Sequence, residues 1–256
     1  MNVDSFANEN NCKRRELLNF ISIFGVVGAI AFLLNGCSFS RGFRQIQGEV
    51  FLNGRRVLPE QMEGPDGFLV PSDASIRTGP QASAVFIIGR DAFLMRGNSQ
   101  IELIPSYFNK KKNEILGFNL TSGAILSVFA RKKRTLRTLS ALIGIRGTGV
   151  YLETDSKKTY VCTCYGTSYM QVKDAPAINE TVTTLYHDQP RFIYSGEKRI
   201  DPASVINHSD QELILLERLV GRVPPFVKKQ REEVGDLMDI ETLISSHSFK
   251  IHRILI

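Results

Sequence analysis

A chain of 256 residues with 43% hydrophobic residues has the size for one ordinary domain plus appendages, or two small ones, and enough apolar content for a core. Its formal charge of +6, from 32 basic against 26 acidic residues, is modest and spread out, which suits an anionic membrane surface or cell-wall polymer and is too diffuse to indicate nucleic acid. Of the four cysteines, Cys12 and Cys37 lie near the N-terminus, so only Cys162 and Cys164 remain for the body, which excludes a disulfide framework.

Lys13, Arg14 and Arg15 precede an apolar run over 20–34, and Gly36 with Cys37 closes it with small residues, the layout of an export signal rather than of a folded element. The run is short for a full membrane span of ~20 residues. Arg14-Arg15-Glu16-Leu17-Leu18 resembles a twin-arginine export motif, and Leu34-Asn35-Gly36-Cys37 resembles a bacterial lipobox. On the lipobox reading Cys37 is the lipidated N-terminus and Ser38 directs the protein to the outer membrane. On the other reading residues 1–37 stay as an uncleaved anchor with the basic end in the cytoplasm. Both place the body of the chain in the periplasm, tied to a membrane by its N-terminal segment.

Residues after Cys37 read as a short tether, and from 44 to 195 the pattern predicts an all-β domain. Residues 48–53 alternate as a strand and turn at Asn53-Gly54, while 59–73, rich in Pro, Gly and acid, form a loop. Short apolar or alternating runs follow at 84–88, 92–95, 101–104, 116–120 and 124–129, with turn residues such as Gly97-Asn98 and Ser122-Gly123 between them. That spacing predicts a mainly β fold, a sandwich or a solenoid of short strands. Two basic clusters, 110–112 and 131–134, fall where hairpin turns are predicted and read as solvated loop tips that guard sheet edges.

Gly144, Gly147 and Gly149 surround a single charge, Arg146, between strand-like flanks that include Ile143, Ile145, Val150 and Tyr151. The glycines predict a strand corner with positive-φ or closely packed backbone. A guanidinium with five donors is suited to tie down carbonyls there, so Arg146 reads as a structural clamp rather than a ligand-binding group. A strand over 160–166 ends at Gly166, a further strand covers 169–172, 174–179 is a loop, and 181–186 is the last predicted strand.

The extension from 205 to 256 changes character. Ser209 and Glu212 form a capping box, Leu213, Leu216, Leu219 and Val220 keep helical spacing, Gly221 sits at the expected C-cap, and Pro224-Pro225 stop the helix. One amphipathic helix against the β body is expected, with a second around 236–245.

Several of these stretches together resemble the FecR domain family: Ile76-Arg77-Thr78-Gly79-Pro80 followed by Ala82 and Ala84, Leu120-Thr121-Ser122-Gly123-Ala124-Ile125, Gly144-Ile145-Arg146-Gly147-Thr148-Gly149, and Gly166 within Tyr165-Gly166-Thr167. The match runs from about 48 to 172, and the Gly-Ile-Arg-Gly-Thr element is its most specific part. The resemblance implies an extracytoplasmic, solenoid-like β module that serves envelope signalling rather than catalysis, with Gly144, Arg146, Gly147, Thr148, Gly149 and Gly166 as its structural signature. Its partners would be an envelope protein or a cell-wall component. Only nineteen residues precede the apolar run, too few to clasp a sigma factor, so a free-standing periplasmic sensor or scaffold is expected.

The residues that carry chemistry are Cys162, Cys164, His187, Asp188, His208 and Asp210. Cys162 and Cys164 stand at i and i+2 of a strand and so share a face, a spacing that strains a mutual disulfide but presents two soft ligands. With His187 and His208 they would complete a zinc or copper set. The bland alternative is a pair of core cysteines and a capping histidine. A nucleophilic enzyme built on a cysteine, His187 and Asp188 is the weaker reading, since no oxyanion site accompanies it. No cofactor is expected apart from such a metal.

Overall fold

The computed structural model describes residues 42–62, 68–106, 114–194 and 196–234. Of two compact units, the first, Met1–Phe39, lies outside the described residues, and with it the export signal, the lipobox and Cys37. The basic cluster at 110–112 and the helix expected around 236–245 also lie outside them.

Fourteen strands join in one hydrogen-bonded sheet. They are β1 (Gly42–Gln47), β2 (Val50–Leu52), β3 (Arg55–Arg56), β4 (Ser75–Thr78), β5 (Ser83–Ile88), β6 (Asp91–Met95), β7 (Gln100–Pro105), β8 (Ile115–Val128), β9 (Lys133–Arg137), β10 (Ala141–Thr154), β11 (Lys158–Val172), β12 (Ala175–Thr184), β13 (Arg191–Tyr194) and β14 (Arg199–Pro202), followed by helices α1 (Asp210–Leu219) and α2 (Pro225–Val234). The fold is mainly β with a C-terminal helix, as expected. The expected turn at Asn53-Gly54 joins β2 to β3, with both residues at positive φ (50° and 77°) as a tight hairpin requires.

The three longest strands were expected in pieces. Ser122-Gly123 is not a turn: β8 runs through it for 14 residues and changes neighbours there. Its first half lies between β7 and β9, and its second half between β6 and β10. Gly123, at φ +79°, permits the switch, because a Cβ there would lie 2.3 Å from the Ser99 hydroxyl. Likewise β11 passes through Gly166 without a break, pairing with β13 before it and β12 after it.

Other differences follow from packing that no local pattern encodes. The expected tether contains β1, which pairs with β5 and buries Phe43. The expected loop over 174–179 belongs to β12, whose exposed edge residues show little hydrophobic alternation. Arg134 is no loop tip: it lies in β9, 7% exposed, and its guanidinium donates to Asp91 Oδ2 at 3.0 and 2.9 Å. The other Asp91 oxygen accepts the Ala130 N–H at 2.8 Å. Burial pushes the Asp91 carboxyl up and the adjacent Arg134 pulls it back.

The sheet has two apolar faces and two cores. Along β5, Phe86 and Ile88 enter the first core while Val85 and Ile87 enter the second, and β6 repeats the alternation with Phe93 against Leu94. The first core is aromatic and aliphatic throughout; Phe86 and Phe93 stack at 4.8 Å, and Phe129 meets Phe93 edge-on at 5.6 Å. Such pairs contribute about 0.5–1.5 kcal/mol each beyond their buried area. The second core is sealed by the helices, through Leu213, Leu216, Val220 and Phe226.

The capping box of α1 is formed as expected, with Ser209 Oγ accepting from Glu212 N–H and Glu212 Oε2 accepting from Ser209 N–H. Gly221 follows the helix at φ +68°. The two prolines end α1, but they do not end helical structure, because Pro225 opens α2. Proline is favoured in a first turn, where its missing N–H has no partner to lose.

Candidate metal centre

The site begins at an irregularity between β10 and β11. Val150 pairs with Thr163 and Gly149 with Tyr165, which leaves Cys164 as the extra residue of a bulge. A bulge turns neighbouring side chains to one side, and Cys162, Cys164 and Tyr165 all enter the second core. The glycine signature builds this corner. Gly147 (φ +63°) and Gly166 (φ +92°) take backbone that side chains rarely adopt, and a Cβ on Gly149 would sit 2.4 Å from the Tyr165 ring. Thr148, fully buried, donates from Oγ1 to the Thr167 carbonyl at 3.0 Å. Gly144 has open space around its Cα, so sterics do not demand a glycine there.

Arg146 does not act as the expected clamp. Its side chain is exposed, and among the described residues it makes no hydrogen bond or ion pair. The corner is held instead by Thr148 and by close backbone packing, so the single charge that stands out in the sequence marks the outward face of the bulge.

His187 reaches the thiols from the turn after β12. Its backbone N–H donates to the Cys164 carbonyl at 3.0 Å, and it sits at φ +45°, an uncommon conformation for a residue with a bulky side chain. His208 arrives from the segment before α1 and stacks on the Tyr151 ring at 4.6 Å, 14° from parallel. One donor atom from each of Cys162, Cys164, His187 and His208 lies within 4.8 Å of every other. These are the four residues the sequence singles out. Both cysteines and His187 are buried, and His208 is half-buried.

The remaining ring nitrogens are occupied by outer partners. His208 Nδ1 lies 2.6 Å from the Ile206 carbonyl, which only accepts, so Nδ1 carries a proton and Nε2 is the atom turned into the cluster. His187 Nε2 faces the Asp210 carboxylate at 3.2 Å, and its Nδ1 faces Cys162 Sγ at 3.3 Å and His208 Nε2 at 3.1 Å. Asp210 is fixed in turn by the Tyr186 hydroxyl at 2.8 Å. A carboxylate or carbonyl on the far nitrogen is the arrangement that orients metal-ligating histidines. Asp188 lies outside the cluster and accepts from Thr184 Oγ1 within its own turn.

The electrostatics favour a thiolate. The Cys162 thiol is pulled down to about 3, first by its hydrogen bond with Cys164 and then, against burial, by His187 and His208. Cys164 moves the opposite way, pushed well up by burial and by its charged neighbour. Burial lowers His187, but Asp210 and Cys162 outweigh it and raise the ring to about 9. A proton on His187 Nδ1 therefore rests beside a thiolate, in the place a cation would take. Tetrahedral zinc, with Zn–N about 2.0–2.1 Å and Zn–S about 2.3 Å, sets its ligand atoms roughly 3.3–3.8 Å apart. Two contacts of the cluster already lie near that edge length, and two sulfurs with two imidazoles form a soft set that suits zinc or copper(I).

Cys162, His187 and Asp210 also stand in the order of a nucleophile, base and orienting acid. The Cys162 sulfur, however, belongs to a residue with 0% exposure.

No protein-family model matches this chain, and no curated protein does. Two crystal structures of a "putative anti-sigma factor" from Parabacteroides distasonis ATCC 8503 are similar at a TM-score of 0.42 and 9% identity, covering 56% of this chain and 64% of theirs. The chain thus spans a little under two thirds of their length.

Proposed function

We propose that this protein is a non-catalytic, extracytoplasmic regulatory module whose β body binds a thiophilic metal ion through Cys162, Cys164, His187 and His208. The observation that carries the reading is the convergence of the four donor atoms within 4.8 Å, with the outer nitrogen of each histidine already committed to Asp210 or to the Ile206 carbonyl. Core cysteines and a capping histidine account for burial alone. They do not account for two imidazole nitrogens and two sulfurs facing one another with every outward group satisfied.

The envelope-signalling part of the proposal rests on the FecR-like sequence signature, whose Gly147, Thr148, Gly149 and Gly166 build the corner that carries the thiols. The body acts in the periplasm, tethered by its N-terminal segment, and passes its state to an envelope protein or a cell-wall component. Protein purified under reducing conditions should contain about one equivalent of zinc or copper per chain. Cobalt(II) in exchange should give the visible and near-ultraviolet bands of thiolate ligation. Cys162→Ser should lose both signals, and a wild-type protein free of metal that shows no cobalt spectrum would rule the site out.

A further inference from the structure

The four ligands come from elements on opposite sides of one contact. Cys162 and Cys164 belong to β11 and His187 to the turn after β12, whereas His208 directly precedes the Ser209 N-cap of α1. Asp210, which holds His187, is the first residue of the same helix. An ion bound here ties the sheet to the start of α1. From this placement, and resting on the metal reading above, we infer that the ion is a clasp that decides whether the C-terminal helices stay closed over the second core.

The rest of the attachment holds α1 at two ends. At its far end α1 is held by Glu217, which accepts from the Tyr165 hydroxyl and from Arg222 Nε. At its near end Arg96 bonds both Glu212 and the Asn207 carbonyl. A helix of ten residues does not persist alone in water, so α1 is folded only while docked. Docked without an ion, its near end brings His208 against Cys162, Cys164 and His187 with only hydrogen bonds between them. With an ion bound, the four donors would be joined by coordinate bonds across the same contact. Occupancy therefore acts on the opening of α1 specifically, while β4 and β7, whose core is closed by other strands, are out of its reach.

The test is hydrogen exchange on the full chain, comparing protein at free zinc ~100 times its dissociation constant with protein in chelator. Binding that is lost on opening should slow exchange of the α1 amides about 100-fold. Amides of β4 and β7 should change far less. The Glu217→Gln variant, weakened at the far end, should show faster α1 exchange in chelator and a full zinc response. His208→Gln should keep sheet protection and lose the α1 response. Equal slowing throughout the sheet and helix, or a full response in His208→Gln, would overturn the clasp. Zinc bound with α1 exchange unchanged would overturn the clasp alone, whereas failure to bind zinc at all would remove the metal site on which it rests.

Discussion

The two cores share the same strands and differ in what closes them. The first is closed by strand against strand, with the stacked Phe86 and Phe93 at its centre and apolar side chains throughout. The second is closed by two short helices, and it contains Tyr151, Tyr160, Cys162, Cys164 and Tyr165 beside a buried His187 and Asp210. Burial pushes the tyrosine hydroxyls up, so they stay protonated and serve as donors, as Tyr165 does to Glu217. One face of the sheet thus holds the molecule together, and the other gives up apolar area to hold a reactive group. Apolar packing is indifferent to conditions that a thiol and an imidazole feel, so the two faces should respond differently to metal and pH.

The sharpest way to separate them is truncation in the first core. Phe93→Ala should cost about 3–5 kcal/mol in denaturant unfolding, by the same amount with or without zinc. Removing a thiol should do the reverse: Cys164→Ala should abolish the rise in melting temperature on adding zinc and leave the melting temperature in chelator nearly unchanged. A zinc-induced rise that survives this variant would show that the second face binds metal elsewhere. Tyr165→Phe, which leaves the buried Glu217 with one partner fewer, should cost about 1–3 kcal/mol by the same unfolding measurement.

Two smaller effects set the baseline outside both cores. Asp155, in the turn between β10 and β11, is held below the ordinary carboxylate range by the backbone N–H groups of Lys157 and Lys158. A depressed carboxylate stabilises above its unfolded pKa, and the gain disappears as pH falls through the folded one. The small melting gap between the native chain and Asp155→Ala at pH 7 should therefore begin to narrow at about pH 4, where the unfolded carboxylate titrates, and vanish once pH falls below the lower folded value. Arg146→Ala should change stability by no more than about 0.5 kcal/mol, and a larger loss would restore the clamp that the exposed side chain argues against.

Much of the candidate site was legible because its cues are local. A Cys-x-Cys pair on a strand shares a face by pleat alone, and the capping box at Ser209 fixes where α1 begins, which places His208 and Asp210 at its start. The bulge at Cys164 and the choice of Asp210 over Asp188 were not legible, since the first depends on the register of β11 on β10 and the second on where α1 docks. The same limit explains the long strands. Ser122-Gly123 and Gly166 carry turn residues, and only the arrival of new neighbours at those points shows that the chain bends there and continues. Arg134 read as a surface charge because its partner, Asp91, is 43 residues away in the chain.

The position of α1 at the end of the described chain has a consequence for biogenesis. Synthesis delivers β10 and β11 before α1, so there is a stage at which Cys162 and Cys164 lack the helix that covers them. A sulfur oxidised at that stage cannot be buried without a polar oxygen entering an apolar layer.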